Sequence, residues 1–198
     1  MLDSNVLDRI GELVQQGGIY EQKSGNDDRY DEFLNQFPAK DISRLTLDQY
    51  CMGLDSFPEN FCWWIERGLE KVLGRYSPGS ARGHILYKDK DGSIYRNQKI
   101  VHLEPDDALK YTLAIHSVIA NADLAEDISW IDSDAEIYKR ADVDEIVTIG
   151  DGRKLRVLAV YHPDQILPMS SSEHIGHFLK VLGHPEDEIP KEEMPASR

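Results

Sequence analysis

The stretch VTIGDGRKLRVLAVY, residues 147–161, decides how the fold is read. Val147-Thr148-Ile149 and LRVLAVY (155–161) are apolar, β-branched runs on either side of Gly150-Asp151-Gly152. Glycine-rich dipeptides between two such runs signal a hairpin. The residue types of 155–161 suit a pleated, buried surface, so the stretch predicts the most buried strand of the chain. A second hairpin signal lies upstream, where HILY (84–87) and SIY (93–95) flank KDKDG with Asp91-Gly92 at its centre. Together the two hairpins predict a central antiparallel sheet.

Helical patterns surround it. Val6, Ile10, Leu13 and Val14 recur at helical spacing and end at Gly17-Gly18. A second helix opens at Asp27 or Asp28 and runs to Gln36, with Tyr30, Phe33, Leu34 and Phe37 on its apolar side. Thr46 followed by Gln49 fits a capping box that opens a short helix stopping at Gly53. Ser56-Phe57-Pro58-Glu59 reads as the start of another helix, lined by Phe61, Trp64, Ile65, Leu69, Val72 and Leu73 and closed by Gly74. Further helices are predicted over 106–122, around 133–140, and over 173–182 after a cap at Ser171 or Ser172. Helices before and after a middle sheet make the fold class α+β. The domain reading is an N-terminal helical segment over 1–45, an α+β recognition domain over 46–185 and a flexible acidic tail over 186–198.

Composition narrows the function. The 198 residues hold 22 Lys and Arg against 36 Asp and Glu, for a net charge of −14. Such a balance argues against indiscriminate binding to nucleic acid or anionic membrane. The charge is uneven, however. Residues 1–59 carry 5 basic and 12 acidic side chains (−7), residues 60–100 carry 8 and 4 (+4), and residues 101–198 carry 9 and 20 (−11). A basic island in an acidic chain marks an anion-facing surface. Two cysteines, Cys51 and Cys62, no signal-like N-terminus and no apolar run near the length of a membrane span predict a cytoplasmic protein with packed thiols and no membrane partner.

No complete catalytic signature stands in the chain. The phosphate loop G-x-x-x-x-G-K-[ST] is absent, as is G-x-G-x-x-G after a strand, so no nucleotide-driven engine is expected. SPGSARG (77–83), with Arg75 and Arg82, could cradle a phosphate through backbone N–H groups, although small residues between helix and strand also serve geometry alone. His174 and His177, with His162 and His184 near in sequence, lie far from the cysteines and lack the tight ligand set zinc requires. Cys62 beside Trp63 reads as a packed thiol, and the serines at 170–172 as helix-capping residues. Asp132, Asp134 and Glu136 read as solvated charges. The expectation is no catalytic residue, no metal and no cofactor. Trp64 fits the core stripe, whereas Trp63 falls on a flank where it could stack on a base.

TLDQY (46–50), FCWWIE (61–66), LG (73–74) and GSA (79–81) together resemble the N-terminal region of McrB-type AAA+ GTPase restriction proteins. LAVYHPDQILPM (158–169) and EHIGHFLKVLG (173–183) are similar to that region's closing strand and helix, so the resemblance spans most of 28–183. It implies a non-catalytic DNA-recognition module of a modification-dependent restriction or antiviral defence system. Its partners would be double-stranded DNA, with a modified base in some cases, and an AAA+ motor or nuclease subunit on another chain. After Gly-Ser-Ala the family has a lysine and an aromatic; Arg82-Gly83-His84 keeps a cation there and lacks the aromatic. The expected DNA-binding residues are Arg75, Ser80, Arg82, Tyr87, Lys88, Lys90, Arg96, Lys99 and Trp63. Two other readings compete: an acidic protein-interaction domain that binds a motor or nuclease subunit, and a small hydrolase built on His162, His174 or His177.

Overall fold

The computed structural model describes residues 26–53, 59–76, 84–144, 149–166, 172–181, 183–187 and 189. The expected first helix and most of the acidic tail lie outside them, as do Ser80 and Arg82. Among the described residues the chain is mostly helical, and its sheet has two strands. Helix α1 spans Asn26–Gln36 and is followed by a 3₁₀ turn at Ala39–Arg44. Helix α2 is Leu47–Tyr50, and α3 (Phe61–Trp63) passes through a π-helical turn, Trp64–Gly68, into α4 (Glu70–Leu73). Strands β1 (Leu86–Lys88) and β2 (Ile94–Arg96) follow, then α5 (Pro105–Ala120), α6 (Asp134–Ala141), α7 (Asp151–Tyr161) and α8 (Ser172–Val181).

Several local signals act as their chemistry dictates. At α2 the Thr46 hydroxyl accepts from Gln49 N at 3.3 Å, and the Gln49 amide accepts from Thr46 N at 2.9 Å, which closes a capping box. The β1–β2 pair is antiparallel, with Tyr87 opposite Tyr95, and Gly92 supplies the positive φ its turn needs. Pro105 sits in the first turn of α5, where its missing N–H costs nothing. Ser133 caps α6 by accepting from Glu136 N.

The expected sheet at 147–161 is overturned. Residues 151–161 are helix α7, with Gly150 as N-cap, and Gly150 O accepts from Arg153 N at 2.8 Å and from Lys154 N at 3.1 Å. Val147 and Thr148 fall outside the described residues. All eight residues from Arg153 to Val160 are buried. An element buried on every side shows neither the two-residue nor the 3.6-residue period, so its β-branched composition was the only remaining cue and pointed the wrong way. The middle of the molecule is therefore a helix rather than a sheet.

Helix α7 packs on α5 and on the turn Trp64–Gly68, and α5 packs in turn on Ala39–Arg44. Phe33 is the hub of an aromatic cluster, with ring centroids 5.6 Å from Phe37, 6.2 Å from Phe61, 5.9 Å from Trp64 and 5.7 Å from Tyr161. Two tyrosine hydroxyls tie α1 to the end of α7: Tyr30 donates to Val160 O at 2.5 Å and Tyr161 to Phe37 O at 2.8 Å. Each satisfies a polar tip while burying a ring. Phe33, Phe37 and Ile42 thus share one core with Phe61, Trp64, Val157 and Val160.

Candidate functional site

Helix α7 places three cations, Arg153, Lys154 and Arg156, at 3%, 2% and 4% exposure. Charged side chains are almost never buried to this degree without partners. Lys154 has them: its ammonium lies 2.9 Å from Asp134 and 3.3 Å from Asp151. Arg156 turns the other way, donating from Nε to Ile65 O at 3.0 Å and from Nη1 to Leu73 O at 2.9 Å. It thereby caps carbonyls of the π-helical turn and of α4, while its buried Nη2 has no hydrogen-bond partner among the described residues. Burial holds its pKa down to about 10.

Arg153 is the centre of a polar cluster. Its Nη1 lies 2.7 Å from His84 Nδ1 and its Nε 3.1 Å from His116 Nε2. Its Nη2 is 3.4 Å from the Tyr50 hydroxyl and 3.6 Å from Cys62 Sγ. His84 Nε2 lies 2.7 Å from Glu66 Oε2, and His116 Nδ1 lies 2.7 Å from Thr112 O. These distances fix the tautomers, because a guanidinium only donates. His84 must accept at Nδ1 and so carries its proton on Nε2, donating to Glu66. His116 must accept at Nε2 and so carries its proton on Nδ1, donating to Thr112 O. Both rings are neutral in this arrangement.

The electrostatics follow from burial and from that one cation. Burial, then the Arg153 charge, depress His116 to a pKa of about 3. For His84, burial disfavours a proton while Cys62 and Glu66 favour one and raise its pKa overall; the Arg153 N–H on Nδ1 nevertheless leaves that nitrogen no room for a proton. Glu66 is held below the usual carboxylate range, chiefly by the His84 hydrogen bond. Burial works against charge on Cys62, and the Arg153 guanidinium, 3.6 Å from Sγ, works for it. Cys51 is pushed well up, chiefly by burial.

Backbone strain sits beside the cluster. Ile85 has φ +72°, a conformation that β-branched residues rarely adopt, and it is buried. The left-handed turn swings His84 inward just before β1, and the Tyr50 hydroxyl holds it there by donating to His84 O at 2.9 Å.

The expected DNA-contacting residues lie mostly outside this cluster. Tyr87 and Tyr95 are half-buried and stack across the ladder with centroids 4.7 Å apart and planes at 29°. Lys88 belongs to the opposite face of the ribbon, across from Ile94. Lys90 and Lys99 are exposed, and Arg75 is exposed just beyond α4. Asp89 and Asp91 in the turn are bent back, accepting from Lys90 N at 2.7 Å and from Ser93 N at 2.9 Å. Arg96 faces the protein: its Nη1 donates to Leu103 O at 2.8 Å, and its buried Nε has no hydrogen-bond partner among the described residues. Trp63 is half-buried beneath the Arg29 guanidinium, 5.4 Å from its ring, and meets Trp64 edge-on at 5.5 Å. Of the nine expected residues, Tyr87, Lys88, Lys90 and Arg96 lie on one hairpin, Arg96 facing inward, with Lys99 three residues beyond β2.

His174 and His177 are exposed on α8, and no group of three His, Cys, Asp or Glu that could hold a metal ion occurs among the described residues. No described helix is long and apolar enough to cross a membrane. No family model, curated protein or solved structure matches the chain significantly.

Proposed function

We propose that this chain is a DNA-recognition module of the modification-dependent restriction type, without catalysis of its own and working with a motor or nuclease on another chain. The supporting observation is the β1–β2 ribbon. Its turn and flank carry Lys88 and Lys90 with no carboxylate in ion-pairing range among the described residues, and one face presents the stacked Tyr87–Tyr95 pair. A two-stranded ribbon fits the major groove, lysines neutralise phosphates, and a tyrosine face can stack on a base. The Asp89 carboxylate accepts from Lys90 N, and the Asp91 carboxylate accepts from the Ser93 N–H and hydroxyl, within the turn.

The test is fluorescence anisotropy with plain and base-modified duplexes at low salt, comparing wild type with K88E/K90E. Binding that is lost in the double variant supports the reading. Undetectable binding, or binding indifferent to both lysines, removes it. In that case the exposed carboxylates of Asp123, Glu126 and Asp127 favour the second reading, a protein-docking surface, and co-purification with a motor or nuclease subunit is its measurement.

A further inference from the structure

We propose that the outward face of α8 is a self-association surface, on which a second copy of this chain docks as an antiparallel helix pair. Phe178 and Val181 are 50% and 63% exposed, and with Val101 they are the large apolar side chains left exposed among the described residues. Single exposed apolar residues are ordinary, but these two share a stripe with the exposed His174 and His177. Positions 174, 177, 178 and 181 have the i, i+3, i+4, i+7 spacing of one helical face. The opposite face is turned inward: Ile175, Gly176 and Leu179 are half-buried, and a Cβ added at Gly176 would stand 3.4 Å from Ile189 Cγ2. Helix α8 thus has an inward apolar face and an outward one built on Phe178 and Val181. That is the pattern of a helix covered on both sides.

Charge decides the occupant and its direction. Glu173 and Lys180 are seven residues apart, so they lie on one flank of the exposed stripe, at opposite ends of the helix. In an antiparallel pair related by a two-fold axis, equal flanks face each other. Glu173 then meets the partner's Lys180, and Lys180 meets the partner's Glu173. The same axis sets His174 against the partner's Val181 and puts the His177–Phe178 edge contact, with rings 5.7 Å apart, at the centre. A parallel pair would turn this charged flank onto the opposite flank of its neighbour, where Ile175 stands. Lys180 also pairs with Glu186 of its own chain, but at 63% and 71% exposure that contact is weak enough to be shared. The helix has 10 residues and is about 15 Å long, so the pair buries no more than the roughly 1,200 Å² at the lower end of stable interfaces. The dimer is therefore weak and concentration-dependent, and it stands whether or not the hairpin binds DNA.

Sedimentation velocity of the full chain, from micromolar to millimolar protein, tests this. Wild type is expected to shift from monomer to dimer as concentration rises. F178D/V181D is expected to weaken the dimer at least about tenfold, the scale of a central aromatic anchor, with an unchanged thermal melt. E173K and K180E are each expected to weaken self-association, since each sets like charges opposite one another. Mixed in equal amounts they are expected to restore it, because both flank contacts become opposite-charge pairs again. A chain that stays monomeric throughout overturns the proposal, and so does a dimer indifferent to F178D/V181D, whose interface lies elsewhere. A monomer that F178D/V181D destabilises shows the face covered by the chain's own residues, which also overturns it. A dimer that the two charge variants leave intact, or that their mixture fails to restore, overturns the antiparallel arrangement.

Discussion

Arg153 donates through Nη1 to His84 Nδ1 at 2.7 Å, across a separation of 69 residues in sequence. One hydrogen bond thereby joins the central helix to the segment that launches the hairpin, and it fixes the protonation of a ring whose other nitrogen holds Glu66.

Removing that guanidinium should be among the most damaging single changes. Arg153→Met leaves two imidazole acceptors and the Tyr50 hydroxyl without their donor in a dry interior. The expected loss is about 3–5 kcal/mol, the range for breaking a buried charged network. Urea unfolding should show it as a lower midpoint at unchanged slope. A variant within about 0.5 kcal/mol of wild type would mean the cluster is solvated.

Acid should destabilise the protein through His116. Its pKa is about 3 folded against 6.5 for the free side chain, so between those values the unfolded chain binds the extra proton. The stability tied to this group is complete above 6.5 and drains away as pH falls toward 3, at about 1.4 kcal/mol per pH unit. His162, lowered by burial, contributes with the same sign. Thermal melts from pH 7 downward should show the decline, and His116→Gln, which keeps an acceptor for Arg153 Nε, should flatten it.

If the hairpin contacts phosphates, the salt dependence of DNA binding reports the number. Each neutralised phosphate adds about 0.9 to the slope of log K against log salt. K88E/K90E should therefore reduce the slope by about 2 as well as weaken binding. An unchanged slope would place the contacts elsewhere.

Gly53 should resist substitution. Its φ is +87°, and an added Cβ would stand 2.7 Å from Lys88 O. The neighbouring Met52 O accepts from Lys88 N at 3.1 Å, so the clash falls where β1 is tied to the loop after α2. Gly53→Ala should cost about 1–3 kcal/mol by denaturant unfolding. Thr46→Ala, which loses only the capping box, should cost about 1 kcal/mol.

The sequence by itself determined the features whose causes lie within a few residues. Thr46 and Gln49 cap α2, Asp91-Gly92 turns the hairpin, Pro105 starts α5, Ser133 caps α6, and Gly74 ends α4 with φ +71°. Asn60 rather than the region of Pro58 caps α3, accepting from Trp63 N at 3.0 Å, and the π-helical turn that follows had no signal. Tertiary structure alone decided the rest. Burial on all sides erased the period of 153–160, so only packing against α5 and Trp64–Gly68 selected a helix there. One clue was present: Arg153, Lys154 and Arg156 interrupt a run too apolar to be a surface, and a strand buried on both faces has nowhere to put them. Which partners those cations find could not be read in advance. Cys62, His84, His116 and Arg153 come from four separate elements, and long-range packing sets the distances that make them one charge-coupled cluster.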